Sequence, residues 1–279
     1  MSANYWNSSQ RNQWQFTRDE LTIARNSLNT TTTTTTTYDS TIKLDINLRI
    51  YLHQLIIKLG RKLNLRQIIL STSEIYLQRF LLKVNINEIN LYLLITTCIY
   101  ISCKIEENPQ HIRTLLSESR NCWPEFIPND LTKLAEFEFY LIEELNCYLI
   151  IHHPYNSLIE LTKIFKNDLT IDEIQSCWSI INDSYITDLH LLFPPHIIAI
   201  SSIYLTLILS NDEFKLSGGD ISKFSNSKIE NLVRFLSISN VDLSEVIESV
   251  QELLTLYESW CYYDEIYIRN GVHNMLLNK

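Results

Sequence analysis

At 279 residues with a 46% hydrophobic fraction, the chain has enough apolar material for one large core or two of about 100 residues each. Only 4 Gly and 6 Pro leave little for the turns of a many-stranded sheet, which points to an all-α fold. The net charge of −9, with Arg61, Lys62 and Arg66 as the best basic cluster, argues against a direct nucleic-acid partner.

In chain order, residues 1–28 form an arm and a helix. Ser8 or Ser9 is positioned to cap one amphipathic helix running through Trp14, Leu21 and Leu28. Residues 29–40 contain the threonine run Thr30–Thr37, a stretch with no core to fill, expected to be a disordered spacer. From Thr41 the spacing becomes helical. Leu48, Tyr51, Leu52, Leu55, Ile56 and Leu59 repeat every three or four residues up to Gly60, expected to be a stop or kink. Further helices are expected over Arg66–Lys83, Glu88–Glu106, near Pro109–Glu118, and from Asn129 or Asp130 to Leu145.

His152-His153-Pro154 reads as a linker. Five more helical stretches follow: Pro154–Phe165, Thr170–Leu189, Pro194–Leu209, Ser225–Ser237 and Val241–Trp260. Thr170 and Glu173 have the spacing of a capping box, and Ser217-Gly218-Gly219-Asp220 is the glycine-rich turn. A last amphipathic stretch runs from Asp264 to Leu277. The expected divisions are 41–149 and 150–260 as two five-helix sets, with 261–279 as a terminal helix.

Two stretches organise these sets. Ile89–Cys103 and Leu191–Ser210 contain no Asp, Glu, Lys or Arg, and Thr97-Cys98-Ile99-Tyr100-Ile101 aligns with Ser201-Ser202-Ile203-Tyr204-Leu205. A helix that is apolar all round must be surrounded by other helices, so each stretch is the central rod of a bundle. The second is no membrane span: about 15 residues after Pro194-Pro195 reach roughly 22 Å, against about 30 Å for a bilayer core.

Chemistry-bearing motifs are scarce. The glycines form no phosphate-binding loop, and no HExxH, GxSxG or DDxxD occurs. No cofactor is expected. His152-His153 is adjacent rather than one turn apart and lacks a cysteine pair, so no metal is expected. Cys98, Cys103 and Cys177 sit in apolar helices as small hydrophobes. With no signal peptide evident, a reducing compartment is expected. The expected work is binding, not catalysis.

One residue breaks pattern. The stripe Leu131, Leu134, Leu141, Ile142, Leu145 passes through Glu138, and a carboxylate there must be paired or reach a surface. Lys104, at the end of the first rod, is the natural partner. By pattern alone, Lys104 complements the helix dipole and Glu138 bridges it, or the two serve recognition.

At these residues the chain resembles the cyclin C family, the cyclins of the Mediator kinase module. Ser102-Cys103-Lys104-Ile105-Glu106-Glu107 and Phe137-Glu138-Phe139-Tyr140-Leu141 match the family's kinase-contacting segments. Tyr5-Trp6-Asn7-Ser8-Ser9, Leu65-Arg66-Gln67, His153-Pro154-Tyr155, Trp178-Ser179-Ile180-Ile181-Asn182-Asp183-Ser184-Tyr185 and Thr187-Asp188-Leu189-His190-Leu191-Leu192-Phe193-Pro194-Pro195 carry the likeness across nearly the whole chain. The resemblance implies two tandem five-helix cyclin-box repeats flanked by an N-terminal and a C-terminal helix. It also implies a nuclear regulatory subunit, not an enzyme, that binds and activates a cyclin-dependent kinase, with large Mediator kinase-module subunits as further partners. Lys104 and Glu138 would grip the backbone of the kinase αC helix. Ile105 and Phe137 either exclude water around them or pack in the core. Trp6, Asn182 and Asp183 either dock a Mediator subunit or are satisfied locally. Leu48-Arg49-Ile50-Tyr51-Leu52 keeps only part of the motif-binding groove of cell-cycle cyclins, with Leu55 where tryptophan is usual. The alternative is a cyclin-fold factor resembling transcription factor IIB, which would bind DNA or polymerase directly.

Overall fold

The structure, a computed structural model, describes residues 4–30, 43–165, 169–210 and 227–277. Among them are 14 α-helices, two short 3-10 turns and no strand. Contacts divide the chain into two compact units, residues 1–151 with 258–279, and residues 152–257. Most of the threonine run and the whole Ser217–Asp220 turn lie outside the described residues.

The first unit opens differently from the single helix expected. A 3-10 turn, Tyr5–Asn7, leads into α1 (Ser9–Gln13), capped by Ser8, and then α2 (Arg18–Thr30) begins afresh. The break has a local cause. The Thr17 N–H donates to the Glu20 carboxylate at 2.7 Å, and the Glu20 N–H donates back to the Thr17 hydroxyl at 3.3 Å, a second capping box.

Five helices then build the bundle: α3 (Ile46–Lys62), α4 (Gln67–Phe80), α5 (Leu91–Ile105), α6 (Ile112–Cys122) and α7 (Leu131–Glu144). Gly60 does not stop α3, which runs two residues further. A Cβ at Gly60 would meet a Leu70 methyl at 2.4 Å, so the glycine permits the close approach of α3 and α4. Helix α6 starts three residues later than Pro109, where the His111 side chain accepts the Arg113 N–H. The rod α5 is buried on every side from Leu91 to Ile99 and contacts α3, α4, α6 and α7. Each fully buried Leu or Ile there contributes about 1.5–3 kcal/mol through removal from water.

The second unit contains α8 (Pro154–Ile164), α9 (Ile171–Ser184), the short α10 (Leu189–Leu192), α11 (Pro195–Leu209), α12 (Ser227–Ile238) and most of α13 (Leu243–Cys261). The stretch expected as one helix from Thr170 to Leu189 ends at Ser184, and α10 is separate. Thr170 and Glu173 form the reciprocal cap that opens α9. Helix α11 is this unit's rod. Its bounds, Pro195–Leu209, lie 104 residues beyond those of α5 at both ends.

The boundary falls at 151/152 rather than 149/150 because Ile151 still packs against the first unit's core, following a segment tied to α4 by the Tyr76 hydroxyl, which donates to the Leu149 carbonyl, and by Arg79, which donates to that of Tyr148. The last turn of α13 and α14 (Glu265–Leu277) belong to the first unit. Val272 and Met275 are buried there, the Tyr263 hydroxyl donates to Gln54, and His273 hydrogen-bonds the Tyr92 hydroxyl, which pairs with that of Tyr51.

No helix among the described residues is long and apolar enough to cross a membrane. Cys98, Cys103 and Cys177 are buried free thiols, and burial pushes the Cys103 thiol up to about 12, where it is unreactive.

Candidate functional site

The site begins with how α5 emerges from the core. Asn90 caps its start by accepting the N–H groups of Tyr92 and Leu93. Lys104, its single charged residue, is in the last turn, where a cation complements the C-terminal dipole. That turn is fastened by Thr72, whose hydroxyl donates to the Glu106 carboxylate at 2.7 Å. Beyond it, Glu107 takes a left-handed φ of 52°, and the Asn108 N–H closes on the Cys103 carbonyl at 2.9 Å, ending the helix sharply.

Helix α7 supplies the other half. Asp130 caps it by accepting the Thr132 N–H, and Leu134, Leu141 and Leu145 are wholly buried. Glu138 lies between them on the same stripe, and its carboxylate accepts a hydrogen bond from the Lys104 ammonium at 2.5 Å. The side chains are 41% exposed for Lys104 and 15% for Glu138. The pair is therefore a rim feature, neither sealed in the core nor free in water. The ammonium is also 4.1 Å from the centre of the Tyr100 ring, one turn earlier on α5. Burial pulls the Lys104 pKa down, but Glu138 and Tyr100 together outweigh it and hold it above the ordinary lysine value.

Chemically the pair offers one donor group and one acceptor group side by side. An ammonium has three N–H donors and a carboxylate about four acceptor positions, and their mutual bond uses one of each. The remainder can bind peptide carbonyls and amides without reading side chains.

Ile105 borders the pair and is partly exposed, at 36%. Phe137 does not present an open apolar surface. It is half-buried, with its ring 6.0 Å from that of Phe80 and 5.7 Å from Tyr140, so core packing accounts for it. The exposed aromatic next to Glu138 is Phe139, at 75%. It falls within the Phe137–Leu141 segment quoted for the resemblance, but Phe137 was the flanking residue expected there; a phenylalanine off the apolar stripe was the available signal.

Trp6, in the first unit, is 56% exposed in its 3-10 turn, with the Arg11 guanidinium 5.9 Å from the ring centre. Asn182 and Asp183, in the second, are half-buried. Asn182 accepts from the Tyr155 hydroxyl at 2.7 Å and Asp183 from the Tyr257 hydroxyl at 3.0 Å. Asp183 and Tyr257 also line a depression of about 590 Å³ with Asp172, Gln175, Ser179 and Thr206. Tyr155 was quoted from sequence only as part of the resemblance, and Tyr257 was not singled out. No cluster of three or more His, Cys, Asp or Glu suited to a metal occurs among the described residues.

A rod-centred helical bundle that holds a half-exposed Lys–Glu pair at its rim is the arrangement that the resemblance to cyclins implies. Residues 19–150 match the family described as "Cyclin, N-terminal domain". The chain is 44% identical to the RNA polymerase II holoenzyme cyclin-like subunit of Debaryomyces hansenii, over 100% of this chain and 99% of that one. It is 43% identical to the protein of that name from Saccharomyces cerevisiae, over 99% and 98%. Among solved structures it resembles a chain of the yeast RNA Pol II CTD kinase CTDK-1 complex, with a TM-score of 0.64 and 16% identity over 90% of this chain and 76% of that one, a likeness of fold. The chain belongs to the family of RNA polymerase II holoenzyme cyclin-like subunits.

Proposed function

We propose that this chain is a regulatory subunit, without catalysis of its own, that binds and activates a cyclin-dependent kinase of the Mediator kinase module. Through that kinase it regulates nuclear transcription by RNA polymerase II, including phosphorylation of the polymerase's C-terminal repeat domain. The observation that carries the reading is the Lys104–Glu138 pair, half-open at the rim of a cyclin bundle. Family membership supports it, since the relatives' name places them in the polymerase holoenzyme.

The mechanism follows from what the pair can bind. A kinase is active when its αC helix is held inward, so that the helix glutamate pairs with the ATP-binding lysine. Lys104 donates to exposed carbonyls of that helix and Glu138 accepts from its amides, with Ile105 and Phe139 excluding water at the edges. A surface that binds only the inward state shifts the population by its differential affinity. Moving the ratio from 1:99 to 99:1 takes about 5.5 kcal/mol. Two charge-assisted hydrogen bonds at about 1.5–3 kcal/mol each supply most of it.

Trp6, Asn182 and Asp183 are proposed to dock large Mediator kinase-module subunits. Exposure of the Trp6 ring beside Arg11 supports an anchor role there. Asn182 and Asp183 are half-buried polar groups held in place by the Tyr155 and Tyr257 hydroxyls.

The test is reconstitution. Co-expressed with the kinase, the chain should co-purify with it and raise phosphorylation of a polymerase repeat peptide. The chain alone should show no turnover. Phosphorylation by the chain alone, or tight duplex DNA binding with a steep salt slope and no kinase capture, would overturn the proposal.

A further inference from the structure

We propose that Tyr100 is a positioning residue for the clasp, holding the Lys104 ammonium in the pose that faces the partner helix. The inference rests on the kinase-binding reading above. Lys104 has four rotatable carbons and emerges from the last turn of a helix, so it has many poses available. Two contacts restrict it. Glu138 engages the ammonium at 2.5 Å, and the Tyr100 ring lies 4.1 Å away. Tyr100 is itself partly buried against the first unit's core, which makes the ring a fixed support. With Glu138 alone, the ammonium is free to pivot about one carboxylate oxygen. The ring's negative face adds a second, independent attraction and defines one position.

The second rod helps to separate this role from packing. Tyr204 occupies the place of Tyr100 in α11, but the residue one turn on is Ile208, not lysine. A tyrosine at this place is thus compatible with packing alone, and only the first rod couples it to a cation. Any test must distinguish the two contributions.

The experiment measures the affinity of the full chain for the co-expressed cyclin-dependent kinase, immobilised on a sensor, with circular dichroism confirming that each variant is folded. Tyr100→Phe keeps the ring but not the hydroxyl that also favours the ammonium, so it should retain more binding than Tyr100→Leu. Tyr100→Leu should bind about two- to fivefold more weakly, the fold-change expected when one exposed cation–ring contact is lost. In a Lys104→Met background, Tyr100→Leu should produce no further loss, because the residue acts through Lys104. In the free chain, the Lys104 side-chain methylene protons should be shifted upfield by the ring, and the shift should vanish in Tyr100→Leu. An equal loss in both backgrounds would show a purely structural tyrosine and overturn the inference. A weakened Lys104→Met with an unchanged Tyr100→Leu would overturn this inference alone, and an unchanged Lys104→Met would overturn the clasp itself.

Discussion

Exchanging the two residues of the pair, as Lys104→Glu with Glu138→Lys, separates a stabilising ion pair from a recognition device. Two opposite charges about 4 Å apart attract by about 4 kcal/mol at an effective dielectric of 20, whereas exposed pairs in proteins yield about 0.2–1 kcal/mol. With Lys104 41% exposed and Glu138 15%, the value lies near the upper end of the exposed range, about 1 kcal/mol. Lys104→Glu alone removes that attraction and sets two carboxylates together, so it should cost about 1–2 kcal/mol. For a chain of this size the melting temperature should fall by roughly 2–8 °C. The exchange restores an ion pair and should recover most of this loss.

Binding should not recover. In the proposed complex the kinase helix meets a donor on α5 and an acceptor on α7, and the exchange presents them in reverse. Each charge-assisted hydrogen bond is worth about 1.5–3 kcal/mol, so losing one weakens the complex about 10- to 150-fold, and both take it below detection in a pull-down. Titration calorimetry against the purified kinase and scanning calorimetry of the free chain give the two readouts. Kinase affinity restored by the exchange along with the melting temperature would refute the argument, because the pair would then serve stability only.

Phe139→Ala should leave the melting temperature within about 1 °C, as expected for a residue 75% exposed, while weakening kinase capture several-fold. Phe137→Ala should instead cost about 2 kcal/mol in urea unfolding, because its ring is packed on Phe80 and Tyr140. In the second unit, burial pushes the Glu173 carboxyl up, but Lys228 at 2.8 Å and the Thr170 cap outweigh it and leave it below its ordinary value. A lowered folded pKa gives stability that is present above about pH 4.5 and lost as pH falls through the folded value. Melts of Glu173→Gln should therefore fall below those of the natural chain at pH 7, and the gap should close in the acid limb. A gap of constant size from pH 7 to pH 3 would contradict this.

What was legible in the sequence is what local physics decides. Charge-free runs of 15 and 20 residues read as buried rods, and α5 and α11 fall on them, α5 running two residues beyond its run. Asp130 and the Thr170–Glu173 box fixed helix starts because their hydrogen bonds close within three residues. Thr17 and Glu20 carried the same signal, but the apolar spacing of Trp14, Leu21 and Leu28 imitated one continuous helix across it. Contacts between distant segments were beyond reach. Nothing near Tyr263 or His273 announces that their partners are Gln54 and Tyr92, and nothing around Gly60 names Leu70 as its neighbour.

The site shows the same division within a single helix. Glu138 was conspicuous because charge on an apolar stripe is costly unless answered, and the answer is Lys104. For the flanking aromatics the helical phase decides. At 100° per residue, Phe139 stands about 140° around α7 from Leu134, towards solvent, whereas Phe137 stands about 60° from it, within reach of Phe80. An apolar residue placed where the phase calls for a polar one is the counterpart of a buried carboxylate, and both kinds of exception fall next to each other here. Together they mark the outward edge of α7 and the last turn of α5 as the strip on which the proposed kinase contact is to be tested, a strip that core packing alone would have made polar.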